Sequence, residues 1–391
     1  MTDDPLTSSY QLRVPGPTPV PERVVEAMRA PMINHRGPAF ADMLAECKRG
    51  LQWAFQTENE VLIFPGSGTG GLESAVQNLT SPGEPALFVT VGAFGDRFAS
   101  IGEAYGVDMV RLEYPWGHGA AAADVGQALD DNPAVQVVFV THNETSTGVT
   151  NDVAAIAAEA KRRGKLVAVD GVSSVASIDL PTDRLGLDVV VSGSQKGWMV
   201  PPGAAFVSVS EAALEHATRT RSPRFFFDFH RELKHERQGQ TLCTPPVSLF
   251  FGLREALRML QEEGLPNVFA RHADIARGLR AAVTAMELEL FADPAYFSNT
   301  VTAVKAPNDD PELNKRFTTT LRERYGLEVA GGQDHLQGRI FRLGHLGDIS
   351  RDDAREIASR MERCLVEVGY IDRPVGAVEA LEAAMAEPAT A

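Results

Sequence analysis

The chain reads as an α/β protein, with a mostly parallel, seven-stranded-type sheet sandwiched by helices and a smaller α+β unit after it. Three observations predict this. Short apolar runs rich in valine recur between Val61 and Val209. Segments of helical periodicity separate most of them. After Pro246 the texture changes to two long helical stretches and then to shorter mixed elements. Strands that are apolar throughout belong to sheets covered on both faces, and their alternation with helices is the pattern of parallel crossovers.

The elements follow in order. "RVPGPTPVPERV" is proline-rich and reads as extended, and a first amphipathic helix runs from about Ala39 to Ala54. "EVLIF" reads as a strand and "GTGGLESAVQNL" as a helix; "ALFVTV" is a strand and "GDRFASIGEAYG" a helix closed by glycine. "VDMVRLEY" and "VQVVFVTHN" are strands, and "DVAAIAAEAKRRG" is a helix with Asp152 near its start. "KLVAVD", "LDVVVSGS" and "GAAFVSVS" complete the strands of this part. Beyond Pro246, "VSLFFGLREALRMLQEEG" and "VFARHADIARGLRAAVTAM" are helical. Then come "TVTAVKAP", a helix from about Pro311 to Arg324, "LEVA", "RIFRLGH", and a helix from about Ser350 to Val368. The alanine-rich, acidic end reads as a helix or a frayed tail. The expected division is a large unit over residues 15–265 and a small one over 266–391, which also takes 1–14. No internal repeat is visible.

Bulk properties narrow the function. The 391 residues are 44% hydrophobic and 23% charged, an ordinary soluble balance. The formal net charge of −15 argues against nucleic acid and anionic membrane as partners. Cys47, Cys243 and Cys364 are far apart and show no metal spacing, which suits a reducing compartment. The polar start "MTDDPLTSSYQ" is no signal peptide, no apolar run reaches membrane-spanning length, and "EPATA" is no peroxisomal address. The expected location is the cytoplasm.

The chemistry gathers at strand ends. "VVVSGSQKGWMVPPGAAFVSV" places Lys196 between two apolar runs. A buried lysine tends to shed its proton, and the neutral amine is a nucleophile toward carbonyls. "FPGSGTGGLES" follows a strand and opens a helix, so backbone N–H groups from Ser67 to Gly71 suit an anion. Its glycines are Gly66, Gly68, Gly70 and Gly71, not a dinucleotide spacing, and "ALFVTV" ends in Thr90 and Val91 without a ribose-binding acid. That counts against a nicotinamide cofactor. Asp170 closes the strand of "VAVDGVSS", at the edge where open α/β sheets bind ligands. A carboxylate facing a pyridine nitrogen keeps it protonated and makes the ring an electron sink. "FVTHNETSTGV" adds hydroxyls and "VGAFGDR" adds Phe94. Only the combination of phosphate turn, carboxylate, hydroxyl, flat aromatic and lysine points to pyridoxal phosphate.

"SGSQKGWMVPPG", "THNETSTGV", "VDGVSS", "PGPTPVPERV", "MINHRGPAF" and "RLGHLG" resemble the class V, fold-type I aminotransferases, and most closely the alanine–glyoxylate and serine–glyoxylate branch. The resemblance extends from about Val14 to Val368. It implies that Lys196 holds pyridoxal phosphate covalently and later carries the proton from the substrate Cα. It implies that Asp170 pairs with the ring nitrogen, that Ser67, Gly68 and Thr69 bind the phosphate with Gln195 nearby, that Thr145 bonds the ring's edge, and that Phe94 stacks on its face. Many relatives carry tryptophan at the Phe94 position or histidine at that of Thr69. Arg342 would clamp the substrate α-carboxylate through its planar fork.

"GQTLCTPPVSL" matches a segment that reaches the neighbouring subunit's site in such enzymes, with Thr244 on the neighbour's phosphate. A homodimer with shared sites is therefore implied. Relatives often have an aromatic hydroxyl in this segment, where this chain reads Gln240, Thr241, Leu242, Cys243. His35 and Arg36 read either as a solvated loop or, as in the similar phosphoserine aminotransferases, as contacts to an anionic substrate group. The basic stretch "RSPRFFFDFHRELKHERQGQ" reads as an entrance loop or an interface patch. His272, His335 and His345 have no metal spacing. The implied reaction moves the amino group of alanine or serine to glyoxylate or pyruvate. The alternative is a class V aspartate aminotransferase. A lyase or desulfurase is disfavoured, because glutamine rather than histidine precedes the lysine and Cys364 lies in a helix.

Overall fold

The computed structural model describes residues 10–386. Its large sheet has seven strands: β1 (Glu60–Gly66), β2 (Pro85–Thr90), β3 (Asp108–Glu113), β4 (Val137–Thr141), β5 (Leu166–Asp170), β6 (Val189–Gly193) and β7 (Gly203–Val209). Their order is β1-β7-β6-β5-β4-β2-β3. All neighbouring pairs are parallel except those of β7, which runs antiparallel to both β1 and β6. Both faces are buried, as the continuous apolar runs predict. Val61, Ile63, Val167, Val169 and Val190 join one core cluster, whereas the alternate residues Leu62, Phe64, Ala168, Val189 and Val191 join another.

This topology puts the chemistry at one edge. Gly66, Thr90, Thr141, Asp170 and Gly193 each end a strand, and the register pairs Thr141 with Asp170 and Ala205 with Gly193. β7 reverses, so its first residue, Gly203, lies opposite Gly66 at the same edge.

A third core cluster runs from Ile275 to Met385 and underlies a three-stranded antiparallel sheet of Val301–Lys305, Ile340–Gly344 and Ala330–Gly331. The Ala377–Ala386 helix settles the reading of the acidic end up to Ala386. It packs on the Leu265–Ala285 helix, where a Cβ on Gly278 would lie 2.7 Å from Met385. Residues 387–391 lie outside the described part. The N-terminal strand Gln11–Leu12 pairs with Leu327–Glu328, and Arg13 bonds Asp353 at 2.7 Å. The chain then crosses to the large sheet, where the Thr18 N–H donates to Gln195 O at 3.1 Å.

Four helices depart from the sequence reading, Ala122–Asp131 and Glu211–Ala217 among them. Glu22–Met28 is helical inside the proline-rich stretch, because Val24 buries completely and Arg23 pairs with Glu255 and Glu262 of the Val247–Glu263 helix. Phe229–Glu236 is helical inside the basic stretch, capped by Asp228, with Phe229 and Leu233 buried. Charges on its other face hid that apolar pair. Among the described residues no helix is long and apolar enough to cross a membrane.

Candidate active site

Lys196 sits half-buried in a tightly bonded turn between β6 and β7. Ser194 ties the turn through its hydroxyl, donating to Pro201 O at 2.7 Å and accepting from Ala204 N–H at 3.2 Å. Trp198 is fully buried beneath it and donates to Ser192 Oγ at 2.8 Å. The Lys196 amine donates to the Pro15 carbonyl. Gly16 has a φ of +132°, and a Cβ there would lie 2.4 Å from Nζ. The amine thus lies against the N-terminal segment, where the backbone conformation favours glycine and a Cβ would push the lysine tip aside. Loss of hydration lowers the amine to about 8; Asp170 opposes this shift, while Arg342 and Arg97 add to it.

Asp170 is buried at the end of β5 and accepts from Val172 N–H at 2.9 Å. Burial pushes its carboxyl up to about 7, and the neighbouring Glu144 adds to the rise, while Lys196 and Arg97 oppose it. An amine and a carboxyl thus face one another electrostatically, each displaced toward neutrality by burial.

The Gly68–Leu79 helix starts at Ser67 with no side-chain cap, so its first-turn N–H groups are available to an anion. Its glycines permit close packing on the sheet: a Cβ on Gly68 would lie 2.7 Å from Val172, and one on Gly71 2.5 Å from Val191. Gln195 reaches this turn, since a Cβ on Gly193 would lie 3.2 Å from both Gln195 Oε1 and Gly68 N. That amide oxygen is buried without a hydrogen-bond partner, as are the hydroxyls of Thr90 and Thr141 at neighbouring strand ends. Uncapped donors and orphaned polar atoms at one edge fit a phosphorylated ring. Turning the Gln195 amide over would present its NH2 to the anion.

Phe94 opens the Ala93–Ala104 helix and is half-buried. The Arg97 guanidinium lies 4.8 Å from its ring centroid and 3.5 Å from Thr69 Oγ1. Arg342 comes from the small sheet. Its Nε donates to Gly331 O at 2.8 Å and its Nη1 to Thr145 O at 3.0 Å, across the two units. Burial lowers its pKa, and Glu144 opposes that.

The structure therefore gathers Lys196, Asp170, Ser67, Gly68, Thr69, Gln195, Phe94, Thr145 and Arg342 around one edge. It does not bring His35, Arg36 or Thr244 there within a single chain. Arg36 is exposed and donates to Gln240 Oε1 at 2.6 Å and to Thr241 O at 3.2 Å, so the expected contact with a substrate anion is not made in one chain. His35 is half-buried and Thr244 exposed. Two residues at the edge escaped sequence reasoning. Arg97 lies one helical turn after Phe94, a spacing that puts both on one face. Glu144 stands inside "THNETSTGV", where a lone acid among small residues was the available signal.

A lysine and a carboxyl displaced toward neutrality, with an uncapped helix end at the same sheet edge, fit a pyridoxal phosphate-dependent enzyme. The chain belongs to the class V aminotransferases, whose family model, Aminotransferase class-V, matches residues 12–343. It is 42% identical to a protein named soluble hydrogenase, small subunit, from Synechococcus sp. (strain PCC 6716), over 95% of this chain and 97% of that one. It is 39% identical to the serine–glyoxylate aminotransferase of Hyphomicrobium methylovorum, over 88% and 86% of the two chains. It is 38% identical to the L-aspartate–glyoxylate aminotransferase of Paracoccus denitrificans (strain Pd 1222), over 93% of each. Among solved structures, an aspartate aminotransferase from Thermus thermophilus superposes with a TM-score of 0.85 at 32% identity, over 92% of this chain and 99% of that one.

Proposed function

We propose that this transaminase moves the amino group of a small neutral amino acid, alanine or serine, to a 2-oxo acid such as glyoxylate or pyruvate. The observation that carries the reading is Arg342: it alone among the arginines bridges the small sheet and the Thr145 strand end beside Lys196 and Asp170. One clamp suits a substrate with one carboxylate. The serine–glyoxylate relative supports this choice. The names of the Paracoccus and Thermus relatives favour aspartate as the second reading. Rates for alanine, serine and aspartate with glyoxylate as acceptor separate the two.

In this reading the residues divide the work. Bound at the edge, pyridoxal phosphate supplies an electron sink for the pair of electrons left when the substrate Cα–H is broken. The N–H groups of Gly68 and Thr69, with Ser67 and Gln195, hold its phosphate, and Arg97 adds positive charge beside Thr69. Asp170 holds the proton on the ring nitrogen. Phe94 covers a ring face, and the Thr145 hydroxyl orients the ring's edge. Arg342 grips the α-carboxylate and so fixes which Cα bond faces Lys196. The Lys196 amine would anchor the cofactor and, once the substrate amine has displaced it, would take the Cα proton; a lowered pKa suits a base working near neutral pH.

The same reading makes the enzyme a homodimer with shared sites, in which Thr244, His35 and Arg36 serve the partner's edge. Exposed Met32, three residues before His35, supports an interface at that segment. The boundary between the two units falls near residue 265, and the enzyme works in the cytoplasm. The hydrogenase name of a relative is not carried over. Soft thiolate sets hold redox metals, and Cys47, Cys243 and Cys364 lie on three separate segments.

A further inference from the structure

We propose that Glu144 is a positioning residue for transamination: its buried carboxylate fastens the Phe94 end of the Ala93–Ala104 helix to the strand end that carries Thr145 and receives Arg342. The inference rests on the reading that Phe94 and Thr145 face the cofactor.

Glu144 is fully buried. Its Oε2 accepts from the N–H groups of Phe94 at 3.1 Å and Gly95 at 3.0 Å. Its Oε1 accepts from the Ser146 N–H at 3.1 Å and the Ser146 hydroxyl at 2.6 Å. The Ser146 oxygen in turn accepts from Ala93 N–H at 3.0 Å. The helix thus receives its N-terminal cap from a residue 50 positions later, while its own cap residue, Gly92, offers no side chain. A serine or aspartate at the cap position is the ordinary solution. It is blocked here, because a Cβ on Gly92 would lie 2.5 Å from both Glu144 Cγ and Ser146 Oγ.

The remote cap does something a local one does not. It ties together two chain segments that both present groups to the site. One residue after Glu144, the Thr145 carbonyl takes the Arg342 guanidinium at 3.0 Å. The ring-covering aromatic, the edge hydroxyl and the carboxylate clamp therefore share one anchor. The three N–H donors and the Ser146 hydroxyl favour its acceptor-only, ionised form, against burial, which pushes the carboxyl up. An amide would turn an NH2 toward at least one of those N–H donors and loosen either the Phe94 side or the Ser146 side of the anchor.

The test uses the full-length protein loaded with pyridoxal phosphate and the variants Glu144→Gln, Phe94→Leu and their combination. Displacement of a positioned group by about 1 Å costs roughly 100-fold in rate. Glu144→Gln is expected to lower kcat roughly 10- to 100-fold with a smaller change in KM, and to weaken the induced circular dichroism of the bound cofactor. In the Phe94→Leu background the same change should cost distinctly less than in wild type, because only the share exerted through Thr145 and Arg342 is left. Equal losses in both backgrounds, or unchanged dichroism and kcat in Glu144→Gln, would overturn the proposal and leave Glu144 a structural cap. If Glu144→Gln does not accumulate as folded protein, Ser146→Ala removes one link and leaves the carboxylate. The same signature at smaller amplitude then supports the proposal, and unchanged dichroism and kcat overturn it. A wild type without a borohydride-sensitive visible band would sink the site reading and this inference together; a wild type with the band and an indifferent Glu144→Gln sinks the inference alone.

Discussion

Lys196 shows what a single residue reveals. Its identity was legible because a lone cation between valine runs has few uses. Its tendency to shed a proton was legible too, but the N-terminal segment that crosses over it was not. Burial lowers the amine to about 8. Covalent capture of pyridoxal phosphate by the cofactor-free protein should therefore speed up about tenfold per pH unit below 8 and level off above it. An ordinary lysine would keep accelerating to beyond pH 10 or so. Stopped-flow growth of the visible band gives the profile, with Lys196→Ala as the blank; acceleration that continues past pH 10 would place the amine in water. Gly16 bears on the same atom. Gly16→Ala puts a Cβ 2.4 Å from Nζ on a backbone with φ +132°. It should weaken cofactor binding at least about tenfold, a cost of one to three kcal/mol for a strained residue. Fluorescence titration with wild-type affinity would show that the segment yields freely. Glu144, by contrast, was hidden from sequence reasoning. Its partners lie 50 residues earlier, and only the packed structure pairs them.

At the scale of elements, the strands of the large sheet declared themselves and the helices over its edges did not. β5 and β6 are buried on both faces, so their residues are apolar up to the site edge, where Asp170 and Ser192 stand, and the pattern was continuous. The Phe229–Glu236 helix needs only a narrow apolar stripe, and its charged residues swamp it. Two of those charges face inward. Glu232 accepts from the Leu242 N–H at 3.1 Å and so holds the 240–244 segment. Burial, with Glu236 next in effect, pushes its carboxyl from an ordinary 4.5 up to about 8; Lys48 and Arg36 oppose this from the neighbouring elements. The native protein therefore keeps a proton that the unfolded chain releases above about pH 4.5. The stability linked to Glu232 is fully present below that pH and is lost as pH rises through about 8. Glu232→Gln keeps an acceptor for Leu242 and has no proton to lose. Its melting temperature relative to wild type should climb from pH 5 to pH 8 and then stay level. Calorimetry at several pH values reads this difference, and a flat difference would show that Glu232 is hydrated and ionised in the fold.

At the scale of the whole molecule, one chain carries two separated sets of site residues. The Lys196 set is complete at its sheet edge, whereas Arg36 and the exposed Thr244 gather along the 240–244 segment. Sequence reasoning found both sets through motifs, but only the fold shows that they do not meet within one chain. In the proposed homodimer with shared sites the two sets would meet. Lys196→Ala and a Thr244 variant that disables phosphate binding should each be inactive alone and should recover up to about a quarter of wild-type activity in mixed dimers. Confirmed heterodimers without recovered activity would count against sharing.

In that proposed dimer, substrate choice would turn on two arginines. Arg342 supplies one carboxylate clamp inside the chain, so alanine and serine should outperform aspartate with glyoxylate as acceptor. Arg36 is the counterweight. In one chain it is bonded to Gln240 Oε1 and Thr241 O, both neutral acceptors that a carboxylate would outcompete. If the partner's edge offers it a second carboxylate, the gain is about 1.5–3 kcal/mol, or one to two powers of ten in specificity. Measuring kcat/KM for alanine, serine and aspartate in wild type and in Arg36→Ala weighs the two arginines against each other. The expected result is that Arg36→Ala leaves the order of donors unchanged, with alanine or serine first. Aspartate leading in wild type and collapsing selectively in Arg36→Ala would transfer the specificity to Arg36 and make the aspartate reading correct. An equal loss for all three donors would assign Arg36 to the 240–244 scaffold, where Gln240 and Thr241 already hold it.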